Sequence, residues 1–214
     1  MKVLLSIILV VCCFGQQEKY DIQFSYGLLG DIQANPQKVV ILEDQSEIQS
    51  GDKVRINTGY LSRTHFYAVF LSSEGEYMLL YPEDASKEEK SPSDTTYVTA
   101  LQWNSFIDPA GLETFYLINS EEPQADLEKL LRRYAKAPEK GQAKLGKKIA
   151  AILNSLDPDK KEGLANLSKR LDKPLVGGVA FRGEEDEKLK DQSLTHTCSG
   201  KNGIAFQKVT LIHK

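Results

Sequence analysis

Thr64-His65-Phe66-Tyr67-Ala68-Val69-Phe70-Leu71, followed by Ser72-Ser73-Glu74-Gly75 and then Glu76-Tyr77-Met78-Leu79-Leu80-Tyr81, is the stretch that decides the fold. Two runs rich in aromatic and β-branched residues flank a short polar segment, and Gly75 can take the positive φ that a tight hairpin loop needs. Pro82 ends the second strand because it has no N–H to donate to a ladder. Upstream, apolar and polar side chains alternate over Lys53-Val54-Arg55-Ile56-Asn57, the period of a half-buried strand, after a turn at Ser50-Gly51-Asp52. Residues 37–43 open the β-rich part behind a polar lead at 16–36 that is expected to pack only in places. Downstream, a charged loop at 83–93 separates the hairpin from strands expected at 97–103 and 114–119.

After Pro123 the hydrophobic period lengthens. Leu127, Leu130, Leu131 and Tyr134 fall at helical spacing, and Leu145, Ile149, Ile152 and Leu153 do the same over residues 142–156. Asp157-Pro158 reads as an N-cap and first turn, starting a third helix to about Leu171 with Leu164, Leu167 and Leu171 as its stripe. Final strands are expected at 175–182 and 203–212, around a charged loop at 183–191. The expected class is α+β: a β-sandwich-like or partly open barrel of antiparallel strands, with about three helices inserted before the last strands. Residues 37–214 form a single domain with a helical excursion at 123–172.

The N-terminus reads as an export signal. Lys2 precedes the apolar run Val3 to Val11, which is too short to span a bilayer, since a spanning helix takes about 20 residues. Cys13-Phe14-Gly15 offers small residues at the cleavage site, so residues 1–15 are expected to be removed and the mature chain to start at Gln16. The rival is a lipid anchor at Cys12 or Cys13, although Val11 and Cys12 stand where a small residue normally precedes a lipidated cysteine. With soluble export only Cys198 remains, so no internal disulfide can form. A periplasmic or extracellular location follows.

The chain has 214 residues, 41% hydrophobic, with a net charge of −3 that exerts no global pull on nucleic acid. The charge is uneven. From Asp126 to Asp172 there are twelve Lys/Arg against seven Asp/Glu, +5, and the remainder carries fifteen against twenty-three, −8. Arg132, Arg133, Lys147 and Lys148 are therefore the candidate partner contacts on a basic helical face, a pattern that more often marks simply the solvated side of surface helices.

From Val39 to Glu122 the order of motifs is Ser50-Gly51-Asp52-Lys53-Val54-Arg55, the aromatic strand Phe66 to Phe70, Leu79-Leu80-Tyr81-Pro82, Trp103, and Gly111-Leu112-Glu113-Thr114-Phe115-Tyr116-Leu117-Ile118-Asn119-Ser120. This stretch resembles the bacterial domain of unknown function 4384, which occurs in exported proteins and beside kinase and caspase-like domains. The resemblance implies a β-sandwich-like module with no assigned activity, and it transfers no catalytic residues.

Residue chemistry gives little to an enzyme. Thr195-His196-Thr197-Cys198 would put His196 and Cys198 on one strand face, but His65 and His213 are the only other imidazoles, so no metal or cofactor is expected. Cys198 with His65 or His213 would make a nucleophile and base. The chain lacks a Gly-x-Ser-x-Gly elbow and a phosphate-binding loop, and Gly177-Gly178 is too short for one. Glu184-Glu185-Asp186-Glu187 belongs to a solvated loop without the spacing of a calcium-binding loop. The expected function is a non-enzymatic exported interaction or structural module with a protein or cell-envelope partner. The alternatives are a small-ligand carrier with an apolar pocket, or a Cys- or metal-dependent hydrolase.

Overall fold

The computed structural model describes residues 21–33, 38–61, 63–82, 96–158, 166–176, 179–180 and 193–214. The expected leader, Cys12, Cys13 and the charged loops at 83–93 and 183–191 lie outside the described residues. Among the described residues thirteen strands and two helices follow in chain order: β1 (Ile22–Ile32), β2 (Lys38–Leu42), β3 (Glu47–Ile48), β4 (Lys53–Leu61), β5 (His65–Leu71), β6 (Tyr77–Tyr81), β7 (Thr96–Ala100), β8 (Asn104–Ser105), β9 (Gly111–Ser120), α1 (Ala125–Ala135), α2 (Glu139–Leu156), β10 (Asn166–Val176), β11 (Val179–Ala180), β12 (Ser193–Gly200) and β13 (Ile204–His213).

The strands form two sheets. The larger runs β11-β10-β12-β1-β4-β7, with β2 also paired to β1 and β8 to β4; the smaller runs β3-β13-β9-β5-β6. Every pair is antiparallel except β3 with β13. In the hairpin that joins β5 to β6, Gly75 takes φ +85 and its amide donates to the Ser72 carbonyl at 2.9 Å, as its sequence predicts.

Two apolar cores make three layers. Phe24, Tyr26, Leu28, Val54 and Ile56 of the larger sheet meet Phe66, Ala68, Phe115, Leu117 and Val209 of the smaller one. On the other face of the smaller sheet, Tyr67, Val69, Ile118 and Phe206 pack against Leu127, Leu131, Ile149 and Leu153 of the helices. This explains the unbroken apolar run of β5. A strand covered on both faces needs apolar residues at every position, whereas β4, covered on one, alternates at its start. Full burial of a Leu or Ile side chain contributes about 1.5–3 kcal/mol, so packing rather than helix propensity holds two such short helices in place. The Tyr67 hydroxyl accepts from the amide of Gln124 at 3.1 Å and fixes where α1 begins.

The structure corrects two expectations. There are two helices among the described residues rather than three: Asp157 closes α2, its amide donating to the Leu153 carbonyl, and Asn166–Val176 is strand β10, paired to β12. The Leu164, Leu167, Leu171 spacing fits a helix, but intrinsic propensity is weak against a ladder supplied by a partner strand about 30 residues away. Pro174 falls where the β10–β12 register shifts between Arg170 and Leu175, a break that suits a residue with no N–H. Likewise, Ile22–Ile32, expected within a polar lead, is a central strand, flanked by β12 and β2 on one side and β4 on the other. Gly27 belongs there for steric reasons: a Cβ at this position would lie 2.2 Å from the Ser193 carbonyl oxygen.

Candidate functional site

The hairpin and the segment between β8 and β9 enclose a cleft of about 210 Å³. Its floor is aromatic: Phe70 and Phe115 rings lie 5.1 Å apart, and Phe106 packs edge-on to both at 6.0 and 6.4 Å. Met78, 55% exposed, and Ile107, 76% exposed, form its apolar lip. Ser73 pins the hairpin to the far wall, its hydroxyl donating to the Pro109 carbonyl at 2.9 Å and its amide to Glu113 Oε2 at 3.2 Å. Among the described residues four carboxylates, Glu74, Glu76, Asp108 and Glu113, line the cleft, and no Lys or Arg does.

Behind this wall the polar residues of the sequence motifs meet. His213 Nε2 lies 3.0 Å from Ser50 Oγ, Ser50 Oγ donates to Asp108 Oδ1 at 2.9 Å, and His213 Nδ1 is 3.5 Å from Glu113 Oε1. The His213 and Glu113 side chains are 0% and 4% exposed, so the pair is sealed within the protein. An exposed serine, an imidazole and a carboxylate in series resemble a nucleophile, base and orienting acid. Acyl transfer also needs donors for an oxyanion. The two amides after Ser50 are committed elsewhere, that of Gly51 to the Phe106 carbonyl and that of Asp52 to the Gln49 carbonyl. Asp52 itself accepts from the amides of Gln33 and Gln49, each at 2.9 Å. The cluster thus reads as a latch that joins the β3–β4 turn to the ends of β9 and β13.

A second cleft, about 380 Å³, lies between β6 and α1, with Tyr77, Leu79, Leu131 and Tyr134 in its walls, and shares Phe70, Ser72, Glu76 and Met78 with the first. Arg132 borders it, with Nε donating to Glu128 Oε1 at 2.9 Å and a terminal nitrogen to the Pro82 carbonyl at 3.3 Å. Arg133, Lys147 and Lys148 are exposed on α1 and α2 and line neither cleft. No family model, no curated protein and no solved structure matches this chain.

The topology separates Cys198 from His213. Cys198 is 0% exposed in the core between the sheets, its Sγ 3.6 Å from the Phe206 carbonyl. His213 is seven residues further along β13 than Phe206, roughly 20–25 Å at the rise of a strand. His65 and His213 pair with opposite ends of β9, at Ser120 and Gly111, roughly 30 Å apart by the same measure. His196 stacks on Tyr26 with ring centroids 5.0 Å apart and contacts Thr195 Oγ1 at 2.9 Å. Among the described residues no three His, Cys, Asp or Glu side chains gather to hold a metal ion, and no helix is long and apolar enough to cross a membrane.

Sequence patterns point to the hairpin and to Ser50-Gly51-Asp52 but not to the clefts. Phe106, Ile107 and Asp108 follow a two-residue strand, and only pairing of β8 to β4 brings them opposite Met78.

Proposed function

We propose that this chain is an exported, non-enzymatic interaction module of the bacterial envelope, with a β-sandwich-like body and a binding surface at the β6 edge. One observation carries this reading: exposed Met78 and Ile107 share an apolar cleft at the end of a sheet, and exposed apolar surface of this kind marks binding sites. The motif resemblance to exported domains without assigned activity, and the commitment of the amides beside Ser50, support it further.

Photo-crosslinking tests it. A benzoylphenylalanine placed at 107 or 78 in a producing bacterium is expected to give a discrete adduct, and one at exposed Lys208 none. Equal labelling at all three positions, or none at 107 and 78, sinks the reading. The intact mass of the product checks export, with Gln16 as the expected first residue; a retained leader counts against it.

A small-ligand carrier is the second reading. The helix-side cleft of about 380 Å³ falls in the size range of ligand pockets, roughly 300–1,000 Å³. Saturable binding of an apolar fluorophore that Leu131→Trp abolishes would favour it over the first.

A further inference from the structure

We propose that β6 receives an extended segment of a partner protein as an added strand, whose alternate side chains enter the two clefts: Lys or Arg on the side between the sheets, aliphatic residues on the helix side. This rests on the interaction reading and names the partner's chemistry. β6 ends the smaller sheet, and among the described residues no strand pairs with its outer edge. Such an edge presents a row of backbone N–H and C=O groups outward. Proteins commonly blunt exposed edges with charges or an internal proline. Tyr77-Met78-Leu79-Leu80-Tyr81 has neither.

The two clefts stand in the relation that strand addition requires. Leu80 lines only the one between the sheets and Tyr77 and Leu79 only the one beside α1, while Met78 lines both. The neighbours Leu79 and Leu80 thus serve different clefts, as the alternation along a strand requires. A strand laid alongside would send its own side chains alternately to the same two faces. In recognition of this kind the backbone supplies affinity and the pockets for alternate side chains supply specificity.

Charge selects the side chains. The first cleft combines an aromatic floor with Glu74, Glu76, Asp108 and Glu113 and has no cation among the described residues of its lining. A Lys or Arg fits because its aliphatic stem covers apolar surface while its head stays at the polar rim. The second cleft is bordered by Arg132 and Glu76, whose charges offset, and walled by Tyr77, Met78, Leu79, Leu131 and Tyr134, which favours an aliphatic side chain.

The probe is a fluorescein-labelled octapeptide of alternating lysine and leucine, titrated by anisotropy against the full chain. Comparison peptides replace lysine with glutamate, or carry N-methyl groups on all lysine amides or on all leucine amides, which blocks one backbone edge at a time. Saturable binding is expected, at least tenfold weaker for the glutamate peptide and for one of the two N-methylated forms. Glu76→Lys is expected to weaken the lysine peptide similarly, with an unchanged thermal melt confirming that the variant folds.

If both N-methylated forms bind like the parent, strand addition is overturned while adducts at 107 and 78 keep the interaction reading alive. If the glutamate peptide binds equally, the charge assignment falls. Self-association that Met78→Glu dissolves would make a second copy the occupant and overturn the proposal, as would the absence of saturable binding. Loss of the crosslinks as well removes the interaction reading itself.

Discussion

The phenol oxygens of Tyr60 on β4 and Tyr81 on β6 lie 2.6 Å apart, a hydrogen bond that ties the larger sheet to the smaller one at the end of the edge strand. Phe66 packs beside both rings, with centroids 5.3 Å from Tyr60 and 6.0 Å from Tyr81. Removing either hydroxyl leaves the other's bond unmade, at a net cost of about 0.5–1.5 kcal/mol. Urea unfolding of Tyr60→Phe, Tyr81→Phe and the double variant should show the two costs to be non-additive by about 1 kcal/mol. Strict additivity would mean the bond contributes nothing.

Gly27→Ala should be far more damaging than Gly75→Ala. At Gly27 the new methyl meets the Ser193 carbonyl oxygen at 2.2 Å, a backbone atom held by the β10–β12 ladder. Overpacking of this kind costs about 3 kcal/mol or more. At Gly75 the added methyl meets open space, and only the positive φ is strained, at about 1–2 kcal/mol. Equal losses for the two variants would argue against the close approach of β1 and β12.

Stability should fall as the medium is acidified past the ordinary histidine range. Burial against Tyr26 holds His196 below its ordinary value of 6.5; Glu43 opposes this and Arg170 adds to it. Because the folded state binds the proton less readily than the unfolded one, the unfolded state gains protons first as pH drops through about 6.5. The loss continues until pH passes the folded value and then levels off. Melting curves from pH 8 to 5 should show this step in the native chain and a smaller one in His196→Gln. An identical step in both would assign it to another group.

Ser50 should not act as a nucleophile. With the Gly51 and Asp52 amides already engaged, an acyl intermediate there would lack those two donors. Fluorophosphonate labelling should leave Ser50 unmodified, and Ser50→Ala should lower stability by about 1 kcal/mol through loss of the contacts to His213 and Asp108. Covalent labelling at Ser50 would reopen a hydrolase.

Much of the fold is legible in local sequence. Residues 64–81 form the expected hairpin, and Leu127, Leu131, Tyr134, Ile149 and Leu153 all face the core that their spacing predicts. β1 was also within reach, because Ile22, Phe24, Tyr26 and Leu28 alternate at period two and all become buried, but Gly27 and Gly30 obscure the run. β12 was harder to see. Its Ser-Leu-Thr-His-Thr-Cys-Ser-Gly carries little apolar weight, and its burial comes from being walled in by β1 and β10.

By itself, then, the sequence determined where apolar periods of two and of 3.6 lie and where glycine and proline interrupt them. Those are properties of neighbouring residues, set by backbone sterics and side-chain alternation. Tertiary structure alone decided that residues 166–176 pair as a strand and that Ser50, Glu113 and His213 converge. It also placed Ile107 and Met78 around one cleft, beside a strand edge to which no described strand pairs. Each of these depends on contacts between residues 17 to 163 positions apart, which the fold's packing selects and local periodicity does not encode.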